Sequence, residues 1–301
     1  MKPLLLAVLS ATLLSFSSPD GFAAPADAQS VDRNSGSVEG NSQSVEGNVS
    51  SIRSVPGGVY LHALPEGVLR VRYKDKPVLL FRHVAIVGIA LSARPGTHEL
   101  VLEHADGTTE RRTFEVSEKR YTEQRLTIEN PRMVNPNPED MKRIQSESAK
   151  MRTQYLRFTE TLENPLPFLQ PVAGPLSSSF GRRRVLNGQP RNPHSGLDIV
   201  ANTGTPILAP APGKVTLTGE FFFNGNAVFV DHGQGLITMV CHLSRIDVAE
   251  GATVSRGQQL GLVGATGRVT GAHLHWSVSM NGNRVDPVQV MDLFSNKSTD
   301  P

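Results

Sequence analysis

Cysteine is almost absent: Cys241 is the single one among 301 residues. One thiol excludes a disulfide within the chain and a closed, cysteine-rich structural zinc site. It also leaves no cysteine near the N-terminus for lipid attachment. Following the apolar residues 236–240, Cys241 reads as a small buried hydrophobe, not a reactive thiol. Charge imbalance is lacking too. Thirty Lys and Arg face twenty-eight Asp and Glu, a net charge of +2, so nothing argues for a nucleic-acid partner. The apolar run of residues 4–14 is well short of the ~20 residues a membrane span needs. No transmembrane segment is expected in the mature chain. There is no H-E-x-x-H, so no glutamate stands beside a histidine pair to act as base. No long helical period follows Phe158.

What the chain does have is a set of histidines between residues 194 and 276: His194-Ser-Gly-Leu-Asp198, Cys241-His242-Leu-Ser244 and His273-Leu-His275-Trp276. In residues 273–280 His273, His275, Ser277 and Ser279 share one parity; Leu274, Trp276, Val278 and Met280 share the other. Strand side chains alternate faces, so both histidines point the same way from a strand with one polar and one apolar face. Asn281-Gly282-Asn283 supplies the turn that ends it. Pro193, Gly196 and the β-formers Ile199-Val200 argue against a helix around His194. An irregular strand or loop is expected to bring His194 and Asp198 together. His242 is placed at the tip of a buried strand, with Leu243-Ser244 turning away. Two His and one Asp offer nitrogen and oxygen ligands that Zn²⁺ accepts, and three protein ligands leave a fourth position open, as catalytic sites do.

Residues 170–287 resemble the lysostaphin-type (LytM-like) zinc endopeptidases of peptidoglycan. The resemblance rests on Ser178-Ser-Phe-Gly181 with Arg182, His194-x-Gly-x-Asp198, Gly204-Thr-Pro206, Ala209-x-Ala-x-Gly213, Asp231-His-Gly233, His242-Leu-Ser244, Gly264-x-Thr-Gly267, Thr270-Gly-x-His-Leu-His275 and Asp286-Pro287. It implies one Zn²⁺ per chain held by His194, Asp198 and His275, with His242 and His273 as catalytic histidines. It also implies peptidoglycan peptides as substrate, with regulatory partners in the wall left open. Two departures are Met239-Val-Cys, where an aromatic often stands, and Ala272, where proline is common; neither removes a ligand.

In chain order, residues 1–28 read as a secretory signal peptide: a Lys near the start, an apolar stretch, then small residues. The expected place is the periplasm, cell envelope or medium. Residues 29–50 repeat Ser-Val-Glu-Gly-Asn and are too polar to build a core, so they read as a disordered linker. Short strand-like runs punctuated by Pro and Gly predict a small β-sandwich over 51–125. It resembles the immunoglobulin-like domain that precedes some peptidases of this type. His62, His83, His98 and His104 within it read as strand or turn histidines. A helical connector is expected over 126–165. Asn137 is its N-cap, Pro138 its first residue, and Met141, Ile144, Ser148, Met151, Tyr155 and Phe158 its packing stripe. Residues 166–295 form the peptidase-like antiparallel β domain, with 296–301 as tail. The fold class is therefore mostly β.

Two further functional readings stay in view. One is a catalytically silent LytM-like activator of another wall hydrolase, which loss of zinc ligands would signal; none is lost. The other is a biotinyl- or lipoyl-like carrier, suggested by Ala211-Pro-Gly-Lys-Val215, which would not need the histidines. The residues before about Leu166 are expected either to brace the two domains or to regulate or restrict access to the zinc cleft; the resemblance implies that such a segment can offer the metal a group, here Asn135, Asn137 or a nearby carbonyl. Arg182 is placed near Phe180-Gly181 in a structural role or against substrate.

Overall fold

The computed structural model describes residues 52–295. The expected signal peptide, the repeat-bearing linker and the tail lie outside them. The chain opens with two antiparallel sheets. One orders Val59–Ala63, Val84–Gly88 and Leu79–Phe81; the other orders Lys76–Pro77, Val68–Tyr73, Gly96–His104 and Thr109–Val116. Strand alternation turns Val71, Tyr73, Ala85, Val87, Leu100, Leu102 and Phe114 into a shared interior. This is the sandwich the punctuated runs predicted.

The second half is one large antiparallel sheet. Its order runs Thr253–Val254, Gly213–Phe221, Gly225–Asp231, Ile237–Ile246, Leu274–Met280, Leu197–Ile199 and Leu176–Ser178. Gln259–Val263 joins Ile237–Ile246 from the side and carries Pro206–Leu208. Among the described residues one pairing is parallel: Glu123–Leu126, upstream of the connector, lies beside Arg183–Leu186. The strand Leu274–Met280 is buried along its whole length. The expected polar face is therefore not a solvent face: Ser277 and Ser279 are buried with the apolar residues. Alternation correctly paired the side chains but could not tell a polar interior from water.

The connector helix spans Pro138–Tyr155, capped by the Asn137 side chain on the Asp140 amide. Its stripe contacts the rest only in part. Met151 and Tyr155 pack against Phe221, Phe229, Ile237, Met239 and Cys241 on the back of the sheet. Met141 and Ser148 are exposed. The first half of the helix is held instead by Arg143, which reaches Glu147 and Glu220. Phe158 lies beyond the helix end. A short helix that no period revealed, Pro287–Leu293, follows the sheet; Asp286 caps it by accepting from the Val288 amide. The Asp-Pro pair was its one local signal. Among the described residues no helix is long and apolar enough to cross a membrane.

Candidate metal centre

Three strands bring the site together. Asp198 and His275 are direct cross-strand partners, and Cys241 is the opposite neighbour of His275. Ligand atoms of His194, Asp198 and His275 lie within 4.8 Å of one another. Asp198 Oδ1 is 2.7 Å from His275 Nδ1 and 3.0 Å from His194 Nε2, and the two ring nitrogens are 3.0 Å apart. His242 and His273 complete a ring of imidazoles: their centroids are 5.0 Å apart, and His242 is 6.0 Å from His275. His273 Nε2 stands 3.8 Å from Asp198 Oδ1.

Partners outside this group fix where each proton sits. His194 Nδ1 is 3.0 Å from the Ser179 carbonyl, which only accepts, so Nδ1 carries the hydrogen. Ser277 Oγ donates to the Ser195 carbonyl and so accepts from His275 Nε2 at 3.0 Å. Both rings then present a bare nitrogen to Asp198. Three electron-pair donors converge on one point while their hydrogens are used elsewhere, and such a set fits a divalent cation. Arg184 donates to Asp198 Oδ2 at 3.2 Å and fixes the carboxylate from behind. His242 and His273 are fixed in the same tautomer as His194. Nδ1 of His242 donates to the Thr266 carbonyl at 2.8 Å, and Nδ1 of His273 to that of Gly271 at 2.9 Å. Each keeps Nε2 as a free base.

Charge follows burial. Burial first, then repulsion from His275 and His273, pushes the pKa of His242 down to about 3. Burial likewise brings His275 down to about 4, against the pull of Asp198. Burial alone would raise Asp198, but the adjoining His194 and His275 imidazoles hold it well below the carboxylate range. Neutral imidazoles beside an ionised carboxylate are the forms that bind metal.

The backbone pays attention to His242. Its φ is +69° in the middle of the strand Ile237–Ile246. The register slips there: Ala227 faces Cys241 and Asn226 faces Leu243. The chain does not turn away after His242, as the sequence suggested. A bulge re-aims the side chain and the strand continues.

The remaining sequence expectations separate cleanly. His98 bonds the Tyr73 hydroxyl at 2.6 Å and His62 faces Tyr60; neither approaches the centre. His232 is buried between the Pro212 carbonyl and Thr238 Oγ1. Cys241 is fully buried, and burial pushes its thiol up to about 12. Asn137 is spent on the helix cap, and Asn135 Oδ1 accepts from Arg191, so neither side chain turns to the metal set. Arg182 donates to Ser179 Oγ, and its carbonyl receives the His194 amide. The residues sequence reasoning missed are Arg184, Ser277, Ser179 and Thr266, which hold the histidines and Asp198 in place. Ser277 had a signal, since it shares the parity of His275.

A mostly antiparallel β fold thus gathers two bare imidazole nitrogens and a carboxylate, with two further imidazoles alongside, a set that could hold a metal ion. Residues 192–287 match Peptidase family M23, and residues 52–119 match the Peptidase family M23 N-terminal domain. A crystal structure of a putative peptidase M23 from Pseudomonas aeruginosa is 45% identical. It covers 80% of this chain and 96% of its own, with a TM-score of 0.67. The chain belongs to peptidase family M23. Among curated relatives, the DD-carboxypeptidase/endopeptidase Mpg of Neisseria meningitidis is 43% identical over 115 residues, 38% of this chain and 26% of that protein. The peptidoglycan DD-endopeptidase ShyA of Vibrio cholerae is 41% identical over 115 residues, 38% of this chain and 27% of that protein. The match thus spans about a quarter of the length of these relatives.

Proposed function

We propose that the chain is a zinc-dependent endopeptidase that hydrolyses peptide bonds in the stem peptides or cross-links of peptidoglycan. The observation that carries this is the convergence of His194 Nε2, Asp198 Oδ1 and His275 Nδ1 beside two histidines whose Nδ1 protons are fixed by main-chain carbonyls. His194, Asp198 and His275 would hold one Zn²⁺ per chain. When bound, Zn²⁺ supplies Lewis acidity that polarises the scissile carbonyl and acidifies water. His242 and His273 do the proton work. Each offers Nε2 to take a proton from the attacking water, and the ring so protonated can donate to the oxyanion or return the proton to the leaving amine. Arg184 keeps the Asp198 carboxylate oriented through Oδ2. The M23 match, together with the names of the curated relatives, supports peptidoglycan as the wall substrate. The sequence of residues 1–28 supports export to the periplasm, envelope or medium. Domain limits of 51–125, 126–165 and 166–295 follow from the same reading.

The test is digestion of purified peptidoglycan by the secreted chain, with mass analysis of the fragments. Peptide-bond products that a chelator abolishes and added Zn²⁺ restores are expected. A zinc-loaded chain that binds wall material without cutting it would instead be a silent activator.

A further inference from the structure

Three arginines stand together at one side of the centre. Arg184 and Arg191 are directly opposite each other on the antiparallel strands Arg183–Leu186 and Gln189–Arg191. Like charges in that position repel. Arg184 is relieved by Asp198. Arg191 and Arg268 are not relieved in this way. Arg191 donates to the Val134 carbonyl at 2.9 Å, Asn135 Oδ1 at 3.1 Å, Gln189 Oε1 at 2.6 Å and the Pro190 carbonyl at 2.9 Å. Arg268 lies 4.2 Å over the Phe223 ring and donates to the Met133 carbonyl at 3.3 Å. All these partners are neutral. Among the described residues no carboxylate pairs with either guanidinium. Burial, then repulsion from Arg184 and Arg191, lowers the pKa of Arg268 to about 10.

A half-buried guanidinium with only neutral partners is costly unless something anionic visits it. The planar fork of an arginine matches a carboxylate in two parallel bonds. The placement ties this pair to the chemistry. Arg268 is two residues from Thr266, whose carbonyl anchors His242. Arg191 is paired across the strand with Arg184, which holds Asp198. Apart from Gln189 and Pro190 on Arg191's own strand, the oxygens now facing the pair, those of Met133, Val134 and Asn135, belong to one turn. Asn130 caps its short 3-10 helix, Pro131–Met133, and Ile128, Val134 and Leu186 bury its underside.

We propose that Arg191 and Arg268 form a recognition subsite for a free carboxylate on the substrate peptide, which replaces the oxygens of Met133, Val134 and Asn135. This rests on the peptidase reading and names the chemistry that selects the substrate. An enzyme so built discriminates between a wall peptide with a free carboxylate and its carboxamide.

The experiment uses two short branched peptides, identical except that one carries free carboxylates and the other carboxamides. Binding to the whole zinc-loaded chain is measured by calorimetry, and cleavage by mass analysis. The carboxylate peptide is expected to bind at least tenfold more tightly and to have the higher kcat/KM, mostly through KM. In Arg268→Gln and Arg191→Gln the ratio of the two affinities should approach one, while Arg268→Lys keeps part of it. Zinc content and Tm are followed to show that each variant is folded. Equal binding of the two peptides by the wild type overturns the subsite, whether or not they are cleaved. So does a variant that weakens both peptides equally. Preferential binding of the carboxylate without cleavage of either peptide would uphold the subsite and sink the peptidase reading.

Discussion

A Cβ on Gly196 would lie 2.5 Å from His275 Nε2 and 2.6 Å from its Cε1. The spacing His194-x-Gly-x-Asp198 therefore needs its glycine for room: the loop passes against the Nε2–Cε1 edge of the His275 ring. Gly196→Ala should displace His275 and weaken zinc by about 10–100-fold, the range for losing an orienting contact. Undiminished affinity in a chelator competition would show that the ring can shift freely. Ligands and proton-transfer groups should separate in the same way. His275→Ala and Asp198→Ala are expected to lose the metal. His242→Ala and His273→Ala should keep most of it but lose about 10²–10⁴ in turnover. If His242→Ala lost zinc while His275→Ala kept it, the roles would be reversed. That the fold would gather His194, Asp198, His242, His273 and His275 was legible because their types and spacing are chemically demanding. Arg184, Ser179 and Thr266 were not, since each acts through a strand pairing or a carbonyl that a linear pattern does not display.

His232 gives a second residue-level expectation, in stability rather than catalysis. Burial lowers its pKa from 6.5 to about 4. Between those values the unfolded chain binds a proton that the folded chain refuses, so stability falls as pH falls. The full effect is about 3 kcal/mol, present above pH ~6.5 and gone by pH ~4. His232→Gln should be less stable at neutral pH but show a shallower fall in Tm over that window. Parallel curves for the two proteins would mean that other groups carry the acid sensitivity.

At the scale of elements, two features show where local signals succeed and fail. The connector helix was legible to the residue at its start, because Asn137-Pro-Glu-Asp140 satisfies the first-turn amides and the helix dipole at once. Its packing face was not, because the first half is held by Arg143 with Glu147 and Glu220 rather than by an apolar stripe. Asn137→Ala should cost about 1 kcal/mol, which is about 2–4 °C in Tm for a chain of this size. An unchanged Tm would mean that Arg143 and Tyr155 hold the helix without its cap. The bulge at His242 is the opposite case. The apolar run of residues 236–241 announced a strand, but nothing in it announced a left-handed residue inside one. That conformation is dictated from outside, by the Asn224 carbonyl receiving the His242 amide and by Thr266 receiving its ring.

At the scale of the whole molecule, the sandwich and the peptidase sheet share one interior. Val59, Leu79 and Ile86 from the first half are buried in the same cluster as Trp276, Val278, Met280 and Phe294 from the second. Buried side chains stitch the backbones across that seam. Asn281 Oδ1 accepts from the Gly88 amide at 2.7 Å, and its Nδ2 donates to the Gly88 carbonyl at 3.0 Å. Gln289 Oε1 accepts from the amides of Arg53 and Val59, and Gln234 Oε1 from that of Leu80. None of this was legible in the sequence, where Asn281-Gly282 read only as a turn. The partner lies 193 residues away. Residues 166–301 alone would expose the apolar side of this seam, so the short form is expected to be less stable than the full chain. Its peptidoglycan turnover bears on occlusion by the upstream half only where its zinc content and circular dichroism match the full chain's.

Sharing a core also fixes how the molecule unfolds. Two sheets that bury the same side chains cannot lose one without exposing the other, so the chain should melt in a single calorimetric transition. Asn281→Ala tests the seam without touching either sheet's own ladder. It leaves the Gly88 amide facing a buried space without its acceptor, while the Gly88 carbonyl keeps Asn283 Nδ2 at 2.9 Å, a loss of about 1–3 kcal/mol. At this chain length each kcal/mol lowers Tm by about 2–4 °C. The expected outcome is one transition in both proteins, displaced downward in the variant. Two resolved transitions in the wild type would show that the halves fold independently and that the buried contacts between them contribute little. A variant whose single peak split in two would locate the coupling at Asn281 itself, leaving Gln234, Gln289 and the shared apolar cluster too weak to hold the halves together.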